Sequence, residues 1–315
     1  APASRTLNPA AHLRGVLLVL GAALGFATLG PLSGIAYRAG MGSPTFVTLR
    51  ALVGASLLAL IVLREPTLRV PLRGLLRREQ LLLGTAVVAN ACLNLALFAA
   101  YGQMAVALVL AVYFTYPMLV ALGSVAIGRE RFTLTRSAGL LLAGIGLALV
   151  MADQVGGAGS SVPVLGLAFA LAAATCQASY LVVSRAGYTR VPAEQATALM
   201  LAGGALLAGV VALAADLPAG RLLAWTDSWQ AWGAVLATGI LGAAAAKVWL
   251  LRGVRLLGAT RTAVLMLTEP VCGVLLAALV LSQAVTLAEA VGGAIILAAA
   301  FLVQRPAPGR VAVSS

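Results

Sequence analysis

The sequence predicts an all-α integral membrane protein, ten transmembrane helices arranged as two inverted five-helix repeats. Three observations carry this expectation. Of 315 residues, 62% are hydrophobic and only 10% are charged, whereas a soluble domain carries about a quarter charged residues. Ten apolar stretches approach the ~20 residues needed to cross a hydrocarbon layer, some only with their polar edges included. A short proline motif recurs, with Pro117 in the first half and Pro270 in the second. The mean hydropathy of +1.04 agrees with the first point: lipid is the solvent in which so apolar an exterior is stable.

The predicted spans run over 13–36, 45–63, 81–101, 105–127, 135–152, 162–184, 194–215, 232–251, 259–281 and 285–303. The first is too long for a signal-peptide core and is read as a retained helix. Its Gly21, Gly25, Gly30 and Gly34 allow close helix contacts, and Gly30 with Pro31 softens it for bending or gating. The second carries Arg50 near its outer edge, read as a snorkelling or packing anchor. The third presents Asn90 and Asn94 one turn apart on one face. Only Gly102 and Gln103 separate it from the fourth, where Tyr113 and Tyr116 share a face ahead of Pro117. The fifth is the shortest. Gln177 and Tyr180 pair at i,i+3 in the sixth, and Glu194 and Gln195 open the seventh as interface or capping residues.

Lys247 lies in the eighth span and Glu269, just before Pro270, in the ninth. A charge inside the membrane faces water, a partner or a substrate. Lys247 stands four residues from the predicted inner end, so snorkelling is its alternative role. Glu269 is nearer the midplane, with structural hydrogen bonding as its alternative. The organisation that follows is a tail at 1–12, a first repeat at 13–152, a linker at 153–161, a second repeat at 162–303 and a tail at 304–315.

The net charge is +12, and the arginines sit in short loops. With the N-terminus inside, nearly all of them fall on one side, and both termini are cytoplasmic. The loop at 216–231, with Arg221, Trp225 and Trp229, then faces outward as an interfacial segment or a lid. Basic charge placed this way serves topology and lipid headgroups rather than nucleic acid. Cys92, Cys176 and Cys272 lie inside apolar segments without metal-ligand spacing, and His12 is the sole histidine. Neither a metal, a cofactor nor histidine-based catalysis is expected.

The repeat rests on Thr115-Tyr116-Pro117 and Thr268-Glu269-Pro270, followed at equal distance by Glu130 and Gln283. Arg38-Ala39-Gly40 before Pro44 is echoed by Arg185-Ala186-Gly187 before Pro192. The same register maps Tyr116 onto Glu269 and Asn94 onto Lys247, polar groups at matched depths. Five helices per half is an odd number, so the second half enters from the opposite side, an architecture frequent in secondary transporters.

These features resemble the EamA-like family of the drug/metabolite transporter superfamily, bacterial ten-helix permeases. The resemblance covers nearly the whole chain: the glycine-rich first helix, Ser43-Pro44 leading to Leu49-Arg50, Tyr116-Pro117 with Gly128-Arg129-Glu130, Gly139 and Gly144, then Gly258-Ala259 and Glu269-Pro270. Leu281-Ser282-Gln283 departs from the Gly-Glu pair of many relatives. The resemblance implies a carrier in a bacterial inner membrane, moving a small organic metabolite by alternating access. Export of amino acids or related compounds is the implied role, with protons or a counter-substrate as partners and one chain sufficient for function. It also implies a cavity walled by helices one, three, four, six, eight and nine. The residues expected to bind substrate are Asn90, Asn94, Tyr113, Tyr116, Gln177, Tyr180, Lys247 and Glu269; Gly30, Pro31, Pro117 and Pro270 are expected to bend helices. A channel or lipid-handling protein is the alternative reading, and an intramembrane enzyme has less support.

Overall fold

The computed structural model describes residues 9–101, 103, 106–127, 134–156, 163–185, 187–216, 227–281 and 285–304. Glu130, Gln283, Arg221, Trp225, Ala186, both distal tails and most of the predicted linker lie outside the described residues. Helices run in order: α1a (Pro9–Ala27), α1b (Leu29–Arg38), α2 (Ser43–Arg64), α3 (Arg77–Tyr101), α4a (Val106–Tyr113), α4b (Tyr116–Ala126), α5 (Leu134–Gly156), α6 (Val164–Ser184), α7 (Ala193–Asp216), α8a (Trp229–Ala237), α8b (Ala246–Leu257), α9a (Ala259–Met266), α9b (Thr268–Leu281) and α10 (Leu287–Gln304). A π-helical segment, Thr238–Ala245, joins α8a to α8b.

Among the described residues, eight helical stretches are long and apolar enough to cross a membrane. Two shorter apolar stretches, Ser137–Ala152 and Leu287–Val303, lie within α5 and α10. Leucines such as Leu17, Leu63, Leu81, Leu141 and Leu206 point outward and are well exposed. Inside, the core is largely alanine, valine and leucine. An apolar outside around an apolar inside is the arrangement lipid requires.

Three helices break, and prolines explain where. Proline lacks the amide hydrogen and its ring collides with the carbonyl four residues back. α1a ends at Ala27, four before Pro31; α4a ends at Tyr113, four before Pro117; α9a ends at Met266, four before Pro270. At each break a threonine hydroxyl donates to a carbonyl three residues back, at 2.7 Å: Thr28 to Gly25, Thr115 to Val112 and Thr268 to Leu265. The last two bonds occupy the same relative positions in the two halves.

The most intimate helix pairings are α5 with α10, α3 with α6, α2 with α7, and α1a with α8b, and α4b also packs on α9a. Glycines set several of these approaches. A methyl group on Gly292 would lie 2.5 Å from the Gly146 carbonyl, and one on Gly146 would lie 2.7 Å from the Gly292 carbonyl. Small residues that let backbones meet are the usual basis of helix association in lipid. In the first helix only part of the predicted glycine stripe packs. Gly25 meets Ala246 and Gly21 meets Trp249, but Gly30 and Gly34 face open space, because the break before Pro31 carries α1b off the line of α1a.

Candidate functional site

A recess in the middle of the bundle is lined by Val47, Arg50, Ala51, Asn90, Asn94, Leu201, Gly204, Ala243 and Lys247. It holds about 320 Å³ of empty space, its open mouth included. Its walls come from α2, α3, α7 and the π segment with α8b. The cavity implied by the family resemblance drew on other helices, including the first, fourth, sixth and ninth. None of these lines the recess. The first packs directly on α8, where a methyl on Gly253 would strike Val19 and one on Gly15 would strike Leu257, so no gap remains there.

Lys247 stands farther from the end of its helix than predicted. The eighth helix continues to Leu257 rather than ending at 251, leaving ten residues, or about 15 Å, beyond the lysine. Its ammonium donates to Asn90 Oδ1. It also stands 6.0 Å from the centre of the Tyr180 ring, within range of a cation–π contact. The Asn90 side chain, 2% exposed, donates from Nδ2 to the Met200 carbonyl at 3.1 Å. One amide thereby ties α3 to α7 and to the lysine. Asn94 Nδ2 is bonded to the Asn90 carbonyl at 2.7 Å, along its own helix, which leaves Asn94 Oδ1 for the recess.

The π segment positions the lysine. Each i→i+5 turn inserts a residue relative to an α-helix and rotates everything that follows. Here Gly239 and Gly242 let the helix press against its neighbours: a methyl on Gly239 would lie 2.7 Å from Val53, and one on Gly242 2.6 Å from Leu29. Thr238, fully buried, donates to the Ala234 carbonyl at 2.6 Å.

The predicted binding residues therefore divide. Asn90, Asn94 and Lys247 meet in the recess, with Tyr180 against the lysine. Gln177 is buried one turn from Tyr180 but does not line the recess. A second group forms where α4 breaks. Tyr113, Phe114 and Tyr116 pack against one another with their rings tilted, ring centres 5.3 Å apart for Tyr113–Phe114 and Tyr113–Tyr116. The buried Tyr116 phenol lies close enough to the Glu269 carboxyl to interact electrostatically. Glu269 stands in the first turn of α9b, where the positive end of the helix dipole favours an acid. Among the described residues, no ion pair joins Lys247 to Glu269. Asn94 and Lys247 both line the recess, while Tyr116 and Glu269 lie within electrostatic range of each other.

Sequence reasoning missed Arg50 as a recess residue, because its distance from the helix end suited an anchor. Glu194 and Gln195, expected at an interface or cap, belong to a polar seam at the arginine-rich end of the bundle whose other members the sequence did not reveal. Arg252 donates to Glu194. Gln195 grips the Val70 backbone both ways, accepting from its N–H at 2.9 Å and donating to its carbonyl at 2.8 Å. Arg190 approaches Glu79 at 3.5 Å. Arg255 donates to the Tyr188 carbonyl at 3.3 Å and lies over that ring, while Tyr188 and Ser184 share a 2.5 Å hydrogen bond. The i,i+3 spacing of Arg252 and Arg255 was the available signal. Among the described residues, no three His, Cys, Asp or Glu side chains gather as a metal would require.

Residues 13–152 and 164–305 each match the model of the EamA-like transporter family. Among functionally curated proteins, none matches the chain. One solved crystal structure superposes with a TM-score of 0.75, over 92% of this chain and 96% of that one, at 23% identity. At that identity the likeness speaks for the fold alone.

Proposed function

Because the chain belongs to the EamA-like transporter family, and is thus a multi-pass membrane transporter rather than an enzyme, we propose that it is a secondary carrier working by alternating access. In this reading ten helices cross a bacterial inner membrane with both termini cytoplasmic, as two inverted repeats. The cargo is a small organic metabolite, with export of amino acids or related compounds as the role. Protons or a counter-substrate serve as coupling partners, and a single chain suffices.

The observation that carries this reading is the composition of the recess. Asn94 and Lys247 correspond in the repeat, and both line it, as do Asn90 and Ala243 one turn away. A site built from corresponding positions of two inverted halves is the expected place for substrate in such carriers. The helix pairings support it. Exchanging the halves turns the α3–α6 pair into the α8–α1 pair and leaves α2–α7, α4–α9 and α5–α10 as they are. A two-fold relation has that property. The family model matching once in each half agrees.

Counterflow separates a carrier from a channel. Purified protein in liposomes preloaded with unlabelled amino acids should transiently accumulate the labelled compound above equilibrium. Dissipation without overshoot, growing linearly with concentration, contradicts a carrier and favours a channel.

A further inference from the structure

Of the 21 lysines and arginines in the chain, Lys247 alone is a lysine. Arginine keeps its proton under any condition a protein meets, whereas an amine can give its proton up. The chain thus uses arginine wherever basic charge serves topology and places its one releasable cation in the recess. The direct partners of that cation, Asn90 Oδ1 and the Tyr180 ring, are neutral. A buried ammonium with neutral partners is costly to keep. Arg50 on α2 is the charged group within electrostatic range of it. α3 presents the Asn90 and Asn94 amides, α6 the Tyr180 phenol, and α7 only Leu201 and Gly204. Among the described residues, no charged group of the first helix or α9a reaches it.

A series of hydroxyls leads from this lysine toward the arginine-rich end. Tyr180, Ser184 and Tyr188 follow at intervals of four, the spacing of one helix face, and all three are buried. The Tyr180 hydroxyl makes no hydrogen bond among the described residues, and Ser184 lies within reach of it one turn on. Ser184 and Tyr188 share the 2.5 Å bond, in which either can donate. Arg255 covers the Tyr188 ring beside the seam, where the Arg252 side chain is 41% exposed. A hydroxyl has one proton and two lone pairs, so it can accept on one side and donate on the other, as a proton relay requires.

We propose that Lys247 is the site where the carrier takes up and releases a coupling proton, and that Tyr180, Ser184 and Tyr188 relay it between the recess and the arginine-rich end. The proposal rests on the carrier reading and names its coupling ion. On release, the lysine turns on its flexible stem from Asn90 to the Tyr180 oxygen and gives it a proton. The hydroxyl proton of Tyr180 passes to Ser184, that of Ser184 to Tyr188, and that of Tyr188 to water at the seam. Each hydroxyl ends neutral, the lysine ends as an amine with its lone pair, and one proton has left the recess. Uptake runs the same steps backwards.

A single lysine makes the test direct. The full chain is grown with lysine carrying carbon-13 next to its amine, and NMR in lipid nanodiscs reads the charge state of Lys247. The signal should pass between ammonium and amine within about two pH units of neutrality, because a proton carrier works where its affinity matches the surrounding pH. In proteoliposomes an imposed pH gradient should drive labelled amino acids to accumulate. Ser184→Ala and Tyr188→Phe should lower that accumulation at least tenfold and leave counterflow near parental, since exchange returns the carrier with its proton in place. Ser184→Thr keeps the hydroxyl and should keep the accumulation. Lys247→Arg keeps the charge, cannot release the proton, and should lose it. The NMR measurement needs no variant, which covers the case in which replacements fold poorly. One unchanging charge state of Lys247 across that range, no gradient-driven accumulation by a parent protein that shows counterflow, or parental accumulation by K247R overturns the proton site. Parental accumulation in both S184A and Y188F, or an equal loss of accumulation and counterflow in them, overturns the relay. Titration of Lys247 without counterflow of any amino acid sinks the carrier and leaves the proton site, whereas counterflow by a protein whose Lys247 never titrates does the reverse.

Discussion

Asn90 joins three parts of the site at once, so its replacement separates holding the site together from serving the solute. Asn90→Leu removes the acceptor for Lys247 and the donor to the Met200 carbonyl. A hydrogen bond to a charged group contributes about 1.5–3 kcal/mol, and a neutral interhelical one in lipid about 0.6 kcal/mol. Leucine gains little in return, because the lipid-embedded unfolded state is as apolar as the core. The loss in stability is therefore about 2–3.6 kcal/mol. Asn90→Asp behaves differently. Its carboxylate accepts from Lys247 more strongly than the amide does, so the fold holds, but a fixed negative charge now changes the polarity of the recess proposed to hold the cargo. Heating followed by size-exclusion chromatography measures the first effect, and counterflow in liposomes the second. The expected result is a less stable N90L protein with transport down at least tenfold, and an N90D protein as stable as the parent with transport lost. Near-parental transport by N90D refutes the assignment of this recess to the cargo. Parental stability of N90L refutes the tie between α3, α7 and Lys247.

Three further expectations follow from named contacts. Glu269→Gln keeps the size of the side chain and removes its titratable group, so rate, affinity or the pH profile of transport should change more than folded yield; a correctly folded variant with all three unchanged contradicts a role for Glu269. Gly258 has φ +94° and ψ 165°, a region open essentially to glycine alone, and a methyl there would lie 1.9 Å from an Arg185 guanidinium nitrogen. The arginine end can swing aside, but the backbone cannot, so Gly258→Ala should cost about 1–3 kcal/mol, visible as a lower melting temperature or yield. Gln195→Ala removes both bonds to Val70 and should raise the rate of proteolysis within 65–76 severalfold without changing the helical circular dichroism.

Much of this protein is legible in its sequence because lipid imposes a simple rule on helices. The helical segments fall near their predicted places, and the prolines mark the breaks. Arithmetic on the sequence pairs Asn94 with Lys247 and Tyr116 with Glu269; the first two line one recess, and the second two lie within electrostatic range. What stayed hidden depends on rotation and reach. The π segment before Lys247 follows from no residue pattern in Thr238–Ala245; it arises where two glycines let α8 press on α2 and the first helix. The end of the eighth helix was placed too early because Arg252 and Arg255 resemble a helix end, although both continue α8b. One pairs with Glu194 and the other lies over Tyr188. Arg50 is a long side chain, and length along a helix does not say which way such a chain turns.

The distribution of strong and weak contacts bears on how such a bundle rocks. The α5–α10 seam is held by backbone approach at Gly146 and Gly292, and a methyl on Gly139 would lie 2.2 Å from Val303. Contacts of this kind are many, dry and lost together. At the arginine-rich end the halves meet differently. Gln195 holds Val70 by two hydrogen bonds, and Arg190, more than half exposed, reaches Glu79 at 3.5 Å. An exposed ion pair contributes about 0–1 kcal/mol and each hydrogen bond about 1 kcal/mol. Breaking these polar contacts thus costs a few kcal/mol, a scale that a bound solute supplies through differential affinity for two states, and the packing of α2 on α7 and of α3 on α6 adds to it. Parting the halves at α5–α10 would open a packed, glycine-lined interface along its length. On the carrier reading the motion consequently turns about the α5–α10 seam and opens between the 65–76 connection and the start of α7. Cross-linking then distinguishes the two ends. A bridge between positions 70 and 195 should arrest transport, and one between α5 and α10 should leave it running.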